Sequence, residues 1–165
     1  MRLRKIKNAQ ERLLDKLGLF IPNPEEYKGA WQKKFGNNNP IYIEIGMGKG
    51  KFIIEHAKRN KNINYIGIEK YDSVLIKGVE KASVEGLDNI YFLNVDAIKL
   101  CDYFKKGEVD KIFLNFSDPW PKTRHAKRRL TSEAFLKVYD NILDKKGDIE
   151  FKTDNIGLFE YSVQE

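Results

Sequence analysis

Three features of this sequence predict an α/β fold built on a doubly wound parallel sheet. From Ile41 onward, short apolar runs alternate with helical stretches, which is the pattern of successive βαβ units. A glycine-rich turn, Gly46-Met47-Gly48-Lys49-Gly50, follows the first run. Finally, Glu44, Glu69, Asp96, Asp118 and Asp154 all fall in or just after the C-terminal ends of five predicted strands. Those ends form one rim of an open sheet, and ligands bind there.

The chain opens with Arg2, Arg4, Lys5 and Lys7, a cluster that reads as a solvated tail in preference to a phosphate-contacting arm. A helical stretch to about Leu17 follows. Pro22, Pro24, Gly29 and the Gly36–Pro40 segment then mark an irregular lead-in, which Trp31 and Phe35 are expected to pin to the body. Residues 1–40 are accordingly read as a basic arm and lead-in, and residues 41–165 as one domain. Ile41 to Ile45 is the first strand. After the glycine turn, residues 51–60 form a helix that turns Ile53, Ile54 and Ala57 inward. The second strand covers 64–68 and ends at Glu69; a helix over 74–85 and a third strand over 89–93, ending near Asp96, come next.

A helix over 97–104 would place the single Cys101 beside Ala97, Ile98 and Phe104 as a packed core thiol. The fourth strand, 111–114, ends at Asn115-Phe116-Ser117-Asp118-Pro119-Trp120-Pro121-Lys122. Proline after Asp118 and again after Trp120 forces the chain out of the sheet. Thr131-Ser132-Glu133 reads as a cap for a helix with the stripe Phe135, Val138 and Ile142. Gly147 is expected to end that helix, and 148–152 to form the fifth strand.

Composition bounds the function. At 165 residues with 41% hydrophobic and 33% charged content, the chain is long enough for one domain with a proper core. A formal charge of +6 points to a polyanionic partner. Seven of the 30 basic residues are Arg, and three of those are Arg124, Arg128 and Arg129. A chain that otherwise prefers Lys thus places Arg where bidentate contact with phosphate matters. No apolar run reaches the roughly 18 residues of a membrane span, and no signal-peptide core is visible. One cysteine and these absences fit a reducing cytoplasm. No Cys/His cluster suggests a metal site, and neither His56 nor His125 is needed as a catalyst.

The glycine turn lacks the sixth-position glycine of a dinucleotide fingerprint, because Lys51 stands there; NAD is therefore disfavoured. A G-x-G-x-G turn after Glu44, with Glu69 placed to hold ribose hydroxyls and Asp96 after the third strand, suits S-adenosylmethionine.

Glu44 to Gly50, Gly67-Ile68-Glu69-Lys70-Tyr71, Asn94-Val95-Asp96-Ala97, the segment Asp118 to Leu130, and Phe151-Lys152-Thr153-Asp154-Asn155 resemble, in that order, the motifs of the bacterial tRNA (guanine-N7-)-methyltransferase family. The match runs from about Ile41 to Glu165. The resemblance implies a Rossmann-like class I methyltransferase sheet with helices on both faces, acting on a guanosine of the tRNA variable loop. It assigns Glu44, Glu69, Asp96 and Asp118 to S-adenosylmethionine binding, to which the reading of the glycine turn adds Gly46 and Gly48, and makes Asp118 the catalytic residue. Lys122 and Asp154 would contact substrate, and Arg124, His125, Lys127, Arg128 and Arg129 would contact RNA. The family's last two strands and its Thr-x-x-Glu-type motif are not visible before Glu165, so a truncated sheet with an open fifth-strand edge is expected. The oligomeric state is not legible.

Guanine N7 carries no proton, so its methylation requires no general base; catalysis is expected from positioning and electrostatics. An exocyclic-amine methyltransferase would place its prolines in a different order at this turn. A non-enzymatic RNA-binding module on the same fold has no use for five acids near phosphate.

Overall fold

The computed structural model describes residues 5–165. Arg2 and Arg4 of the N-terminal basic cluster lie outside the described residues, and Lys5 and Lys7 are exposed. The lead-in contains a short α1 (Ala9–Leu14), a 3₁₀ turn (Pro24–Tyr27) and α2 (Trp31–Phe35). Then follow β1 (Ile41–Ile45), α3 (Lys51–Arg59), β2 (Asn64–Ile68), α4 (Asp72–Val84), β3 (Ile90–Leu93), a 3₁₀ turn (Ala97–Asp102), β4 (Val109–Asn115), a 3₁₀ turn (Thr123–Arg128), α5 (Glu133–Ile142), β5 (Leu143–Lys152) and α6 (Ile156–Gln164). The strands form one sheet in the order β3-β2-β1-β4-β5, and every pairing is parallel. The order reverses between β1 and β4, so a crevice opens where the connections leave in opposite directions.

Strand periodicity splits the core into two layers. Ile41, Ile43 and Ile45 of β1 pack with Trp31, Leu100, Phe104, Tyr139 and Ile142 on one face. Tyr65, Phe92 and Phe113 pack with Ile53, Ile54, Ala57, Leu75 and Val79 from α3 and α4 on the other. The register slips between Val109 and Lys111; this irregularity lets Val109, Ile112 and Leu114 all reach the same core despite their odd spacing.

Trp31 does pin the lead-in. It is fully buried, its ring stacks on Phe104 with centroids 5.5 Å apart, and its indole N–H donates to the Tyr103 carbonyl at 2.7 Å. Phe35 lies against Tyr91. The lead-in also covers one sheet edge: the Phe92 amide donates to Leu19 O at 2.9 Å and the Ile21 amide to Phe92 O at 3.0 Å, which satisfies β3 groups that would otherwise be a pairing template. At the other edge β5 pairs only with β4 among the described residues, and none of its residues is buried.

Three elements differ from expectation. Residues 97–102 form a 3₁₀ turn, not an α-helix, with Asp96 capping it by accepting the Ile98 amide at 3.2 Å. Ile98 is consequently exposed, and Cys101 is half-buried with its Sγ 3.5 Å from Asn141 Oδ1. The fifth helix stops at Ile142 and passes directly into β5, so Gly147 lies inside the strand and not at a helix end. A Cβ at Gly147 would stand 2.9 Å from Asp110 O, so the glycine is there for close backbone approach. Finally, the chain after β5 continues as a helix, α6, beyond the elements the sequence predicts. Asn155 caps it by accepting the Leu158 amide at 2.8 Å.

Candidate active site at the strand ends

Parallel pairing brings the first four acids to one rim, but each occupies a different environment. Glu44 is 2% exposed. Its Oε2 accepts the Asn115 amide at 2.8 Å, while Oε1 is buried without a hydrogen-bond partner. Burial pushes its pKa up to about 7, opposed by the Asn115 contact and the nearby Ile53 amide, with the Glu69 charge adding to the rise. Asn115 was not singled out in the sequence. Its signal is positional: it ends β4 two residues past Phe113, the residue that pairs with Glu44, and so returns to the same face of the sheet.

A carboxyl held above its usual range makes stability fall as pH rises. Below about pH 4.5 the group is protonated in both folded and unfolded chains. Between that value and about 7 the unfolded chain loses the proton that the folded chain keeps, so unfolding becomes easier by on the order of 2–3 kcal/mol. The ligand-free protein is expected to lose thermal stability across this window, and Glu44→Gln to remove that part of the slope. A pH-melting series that is identical for both proteins would place the charge elsewhere.

Glu69 grips the glycine turn. Its Oε1 accepts the Gly48 amide at 3.1 Å and its Oε2 the Tyr71 amide at 3.0 Å. Burial raises its pKa; the Tyr71 and Gly48 amides and Lys70 pull down, and the Asp118 charge pushes up. Gly46 and Gly48 have φ of 71° and 59°, a left-handed backbone that glycine adopts without penalty. A Cβ at Gly48 would meet no atom within 4 Å, so the turn faces open space over its ligand side. Asn94 fixes the segment after Glu69 by donating to the Glu69 and Lys70 carbonyls at 3.0 and 3.1 Å.

These residues suit the amino-acid and nucleoside parts of S-adenosylmethionine. An unpaired, buried acceptor on Glu44 fits a donor-rich ammonium. Glu69, with lone pairs left beyond its two amide contacts, fits ribose hydroxyls, and a side-chain-free turn fits close approach. Asp96 is exposed at the end of the third strand segment, where its other oxygen remains free.

Asp118 is exposed and close enough to Glu69 to act on it electrostatically. The loop that carries it is held by Arg129, whose guanidinium donates to Pro119 O at 3.0 Å and to Trp120 O at 3.0 and 3.2 Å. Arg129 also lies over Tyr161 of α6, 4.4 Å from the ring centre. Its Nε and Nη2 thus both donate to the loop. Trp120 is half-buried, edge-on to His125 at 5.6 Å and 5.0 Å from the Arg128 guanidinium, so it packs within the loop. Lys122, Arg124, Lys127 and Arg128 are exposed on and beside the 3₁₀ turn. Asp154 is exposed just before α6.

A cleft of about 510 Å³ runs from Glu44, Gly46 and Asn115 past Phe116, bordered by Lys49, Lys51, Arg59 and Lys152. A larger hollow of about 820 Å³ lies at the opposite ends of the strands, lined by Asn37, Glu108 and Asp144 among others, away from the rim. No three His, Cys, Asp or Glu side chains group as a metal site would require among the described residues. No described helix is long and apolar enough to cross a membrane.

Comparison with known proteins sharpens the picture. A family model described as a putative methyltransferase matches residues 38–165. The chain is 55% identical over 163 residues to a tRNA (guanine-N(7)-)-methyltransferase of Geobacillus sp. (strain WCH70), covering 99% of this chain and 74% of that protein. It is 52% identical to a protein of the same name from Bacillus subtilis (strain 168), covering 99% and 77%. Among solved structures, the aminoglycoside resistance methyltransferase NpmB1 superposes with a TM-score of 0.60 at 21% identity, over 76% of this chain and 61% of that one. An S-adenosyl-L-methionine-dependent methyltransferase from Methanococcus maripaludis, itself described only provisionally, superposes over 99% of this chain and 73% of its own length, with a TM-score of 0.56 at 18% identity. The structural likenesses show the class I methyltransferase fold.

Proposed function

Because the chain belongs to the tRNA (guanine-N(7)-)-methyltransferase family, we propose that it transfers a methyl group from S-adenosylmethionine to N7 of a guanosine in the variable loop of tRNA, forming 7-methylguanosine. The observation that carries this reading is the joining of an acid rim, with Glu44 and Glu69 buried and Asp118 exposed, to an exposed basic turn by one loop, Asp118 to Arg129. Bound at the rim, S-adenosylmethionine supplies an electrophilic methyl on a sulfonium. The chain's own residues bind, orient and screen charge. Glu44 and Glu69 hold the donor against the glycine turn. Asp118, at the mouth of the crevice, is the acceptor for the guanine edge and the counter-charge for a purine that becomes cationic. No residue has to remove a proton, because N7 presents a free lone pair. A cytoplasmic setting follows from such a substrate. The test is methyl transfer to unmodified tRNA with the methylated atom mapped; methylation at any other atom or nucleotide refutes the assignment.

Glu69→Ala is expected to weaken S-adenosylmethionine binding by about 1–3 kcal/mol, since it removes a charge-assisted ribose contact and frees the Gly48 amide. Calorimetry reads this directly, and unchanged affinity would remove Glu69 from the cofactor site.

The basic turn divides into two kinds of residue. Lys122, Arg124 and Lys127 are free to meet phosphate, so replacing each with Ala should weaken tRNA binding and flatten its salt dependence by roughly 0.7–0.9 units per lost contact. Arg129→Ala is expected to act differently, because it releases the Pro119 and Trp120 carbonyls; methyl transfer should fall more than tRNA affinity does. Titrations at several salt concentrations separate the two, and equal slopes for the Arg124 variant and the unaltered chain would return Arg124 to a solvated face.

A further inference from the structure

Phe116 stands apart from the other apolar residues of the sheet. It is 64% exposed and its φ is 52°, a left-handed backbone that is strained for a residue carrying a Cβ. The sheet nevertheless holds it firmly, since its amide donates to Lys152 O at 2.8 Å and extends the β4–β5 ladder one step beyond β4. The left-handed step turns the ring outward while its neighbours turn in. Asn115 Oδ1 and Ser117 Oγ are both buried without partners, and Asn115 Nδ2 is spent on Glu44. Asp118 follows two residues later. Strain of this kind persists where surrounding structure enforces it, and it collects at functional sites.

The surroundings describe a ligand. Phe116 borders the cleft that reaches back to Glu44, and Lys49, Lys51 and Lys152 line the same cleft. An exposed aromatic face flanked by cations, with acids behind it, suits a flat aromatic group attached to phosphate. A guanine drawn out of its own stack for methylation would gain replacement stacking from an aromatic face at the point of arrival. We propose that Phe116 is the stacking face for the methyl-accepting guanine, seated by the Asn115-Phe116-Ser117 turn beside Asp118. This rests on the guanine-N7 reading above and adds to it the residue against which the base lies.

The experiment uses the effect of strain to separate substrate binding from packing. Phe116→Gly relieves the left-handed backbone but deletes the ring; Phe116→Tyr keeps a ring. Methylation of unmodified tRNA, S-adenosylmethionine calorimetry and thermal melting are measured on both variants and the unaltered chain. Phe116→Gly should lower kcat/KM about 5- to 150-fold, the span of one lost base–aromatic stack. Its Tm should be unchanged or higher and its cofactor affinity unchanged, while Phe116→Tyr should transfer methyl nearly as the unaltered chain does. Unaltered kcat/KM in Phe116→Gly overturns the stacking assignment alone. A fall in Tm and cofactor affinity together makes the ring a packing residue and also overturns it. If the unaltered chain methylates no guanine N7, the functional reading fails and this inference fails with it.

Discussion

Asp118→Asn is expected to slow single-turnover methylation of tRNA by about 100- to 1,000-fold, the usual cost of one preorganised electrostatic group. The substitution keeps the size and most hydrogen-bonding capacity of the side chain. In the proposed reaction it deletes the charge that would balance the positive charge arriving on the purine. Because Asp118 is exposed and its loop is held by Arg129 contacts to Pro119 and Trp120, the fold should survive. Cofactor affinity should change little, since the substitution removes only the repulsion that Asp118 exerts on Glu69. Because N7 carries no proton to remove, no general-base limb is expected in the pH–rate profile of the unaltered protein at saturating S-adenosylmethionine. A rate for Asp118→Asn within a few-fold of the unaltered protein would take the side chain out of the chemistry.

Trp31→Ala is expected to destabilise the protein by about 3–5 kcal/mol, the range for deleting a large buried aromatic. The ring is wholly buried between Tyr27 and Phe104, and its loss also leaves the Tyr103 carbonyl without its indole donor. Trp31→Phe should cost less, since it refills most of the volume and loses only the hydrogen bond and the second ring. Urea unfolding of both variants reads the difference. A Trp31→Ala loss below about 1 kcal/mol would mean that the lead-in contributes little to the core and could detach from the sheet.

The register of acids with strand ends was legible from the sequence because a parallel sheet repeats one simple unit. Each apolar run of about five residues ends where the chain must turn, and a polar residue there reaches the same rim in every unit. The glycine turn was legible for a similar reason: it needs no partner from elsewhere in the chain to be recognised. Element boundaries depend on more than local spacing. The segment Ala97–Asp102 has helical spacing in its apolar residues but folds as a 3₁₀ turn, and propensity alone does not distinguish the two. Gly147 looked like a helix stop because glycine is common there; only the approach of Asp110 O within 2.9 Å of its would-be Cβ shows why a strand needs it.

Within the basic run, sequence placed Arg124, Arg128 and Arg129 together as equals, and their chemistry is the same. Tertiary structure separates them, because Arg129 lies inside reach of two loop carbonyls and the Tyr161 ring while Arg124 does not leave solvent. The same holds for Asn115, Phe116 and Ser117, three adjacent residues whose roles diverge. A bend to φ 52° at the middle residue sends one ring outward and leaves one side-chain oxygen on each neighbour buried. Sequence by itself determined the fold class, the strand-end acids and the basic turn, since each depends on local periodicity and residue type. Which acid is buried against Asn115, which arginine is spent on the loop and which aromatic faces the cleft were decided only by tertiary structure, because each depends on groups distant in the chain meeting at hydrogen-bond range.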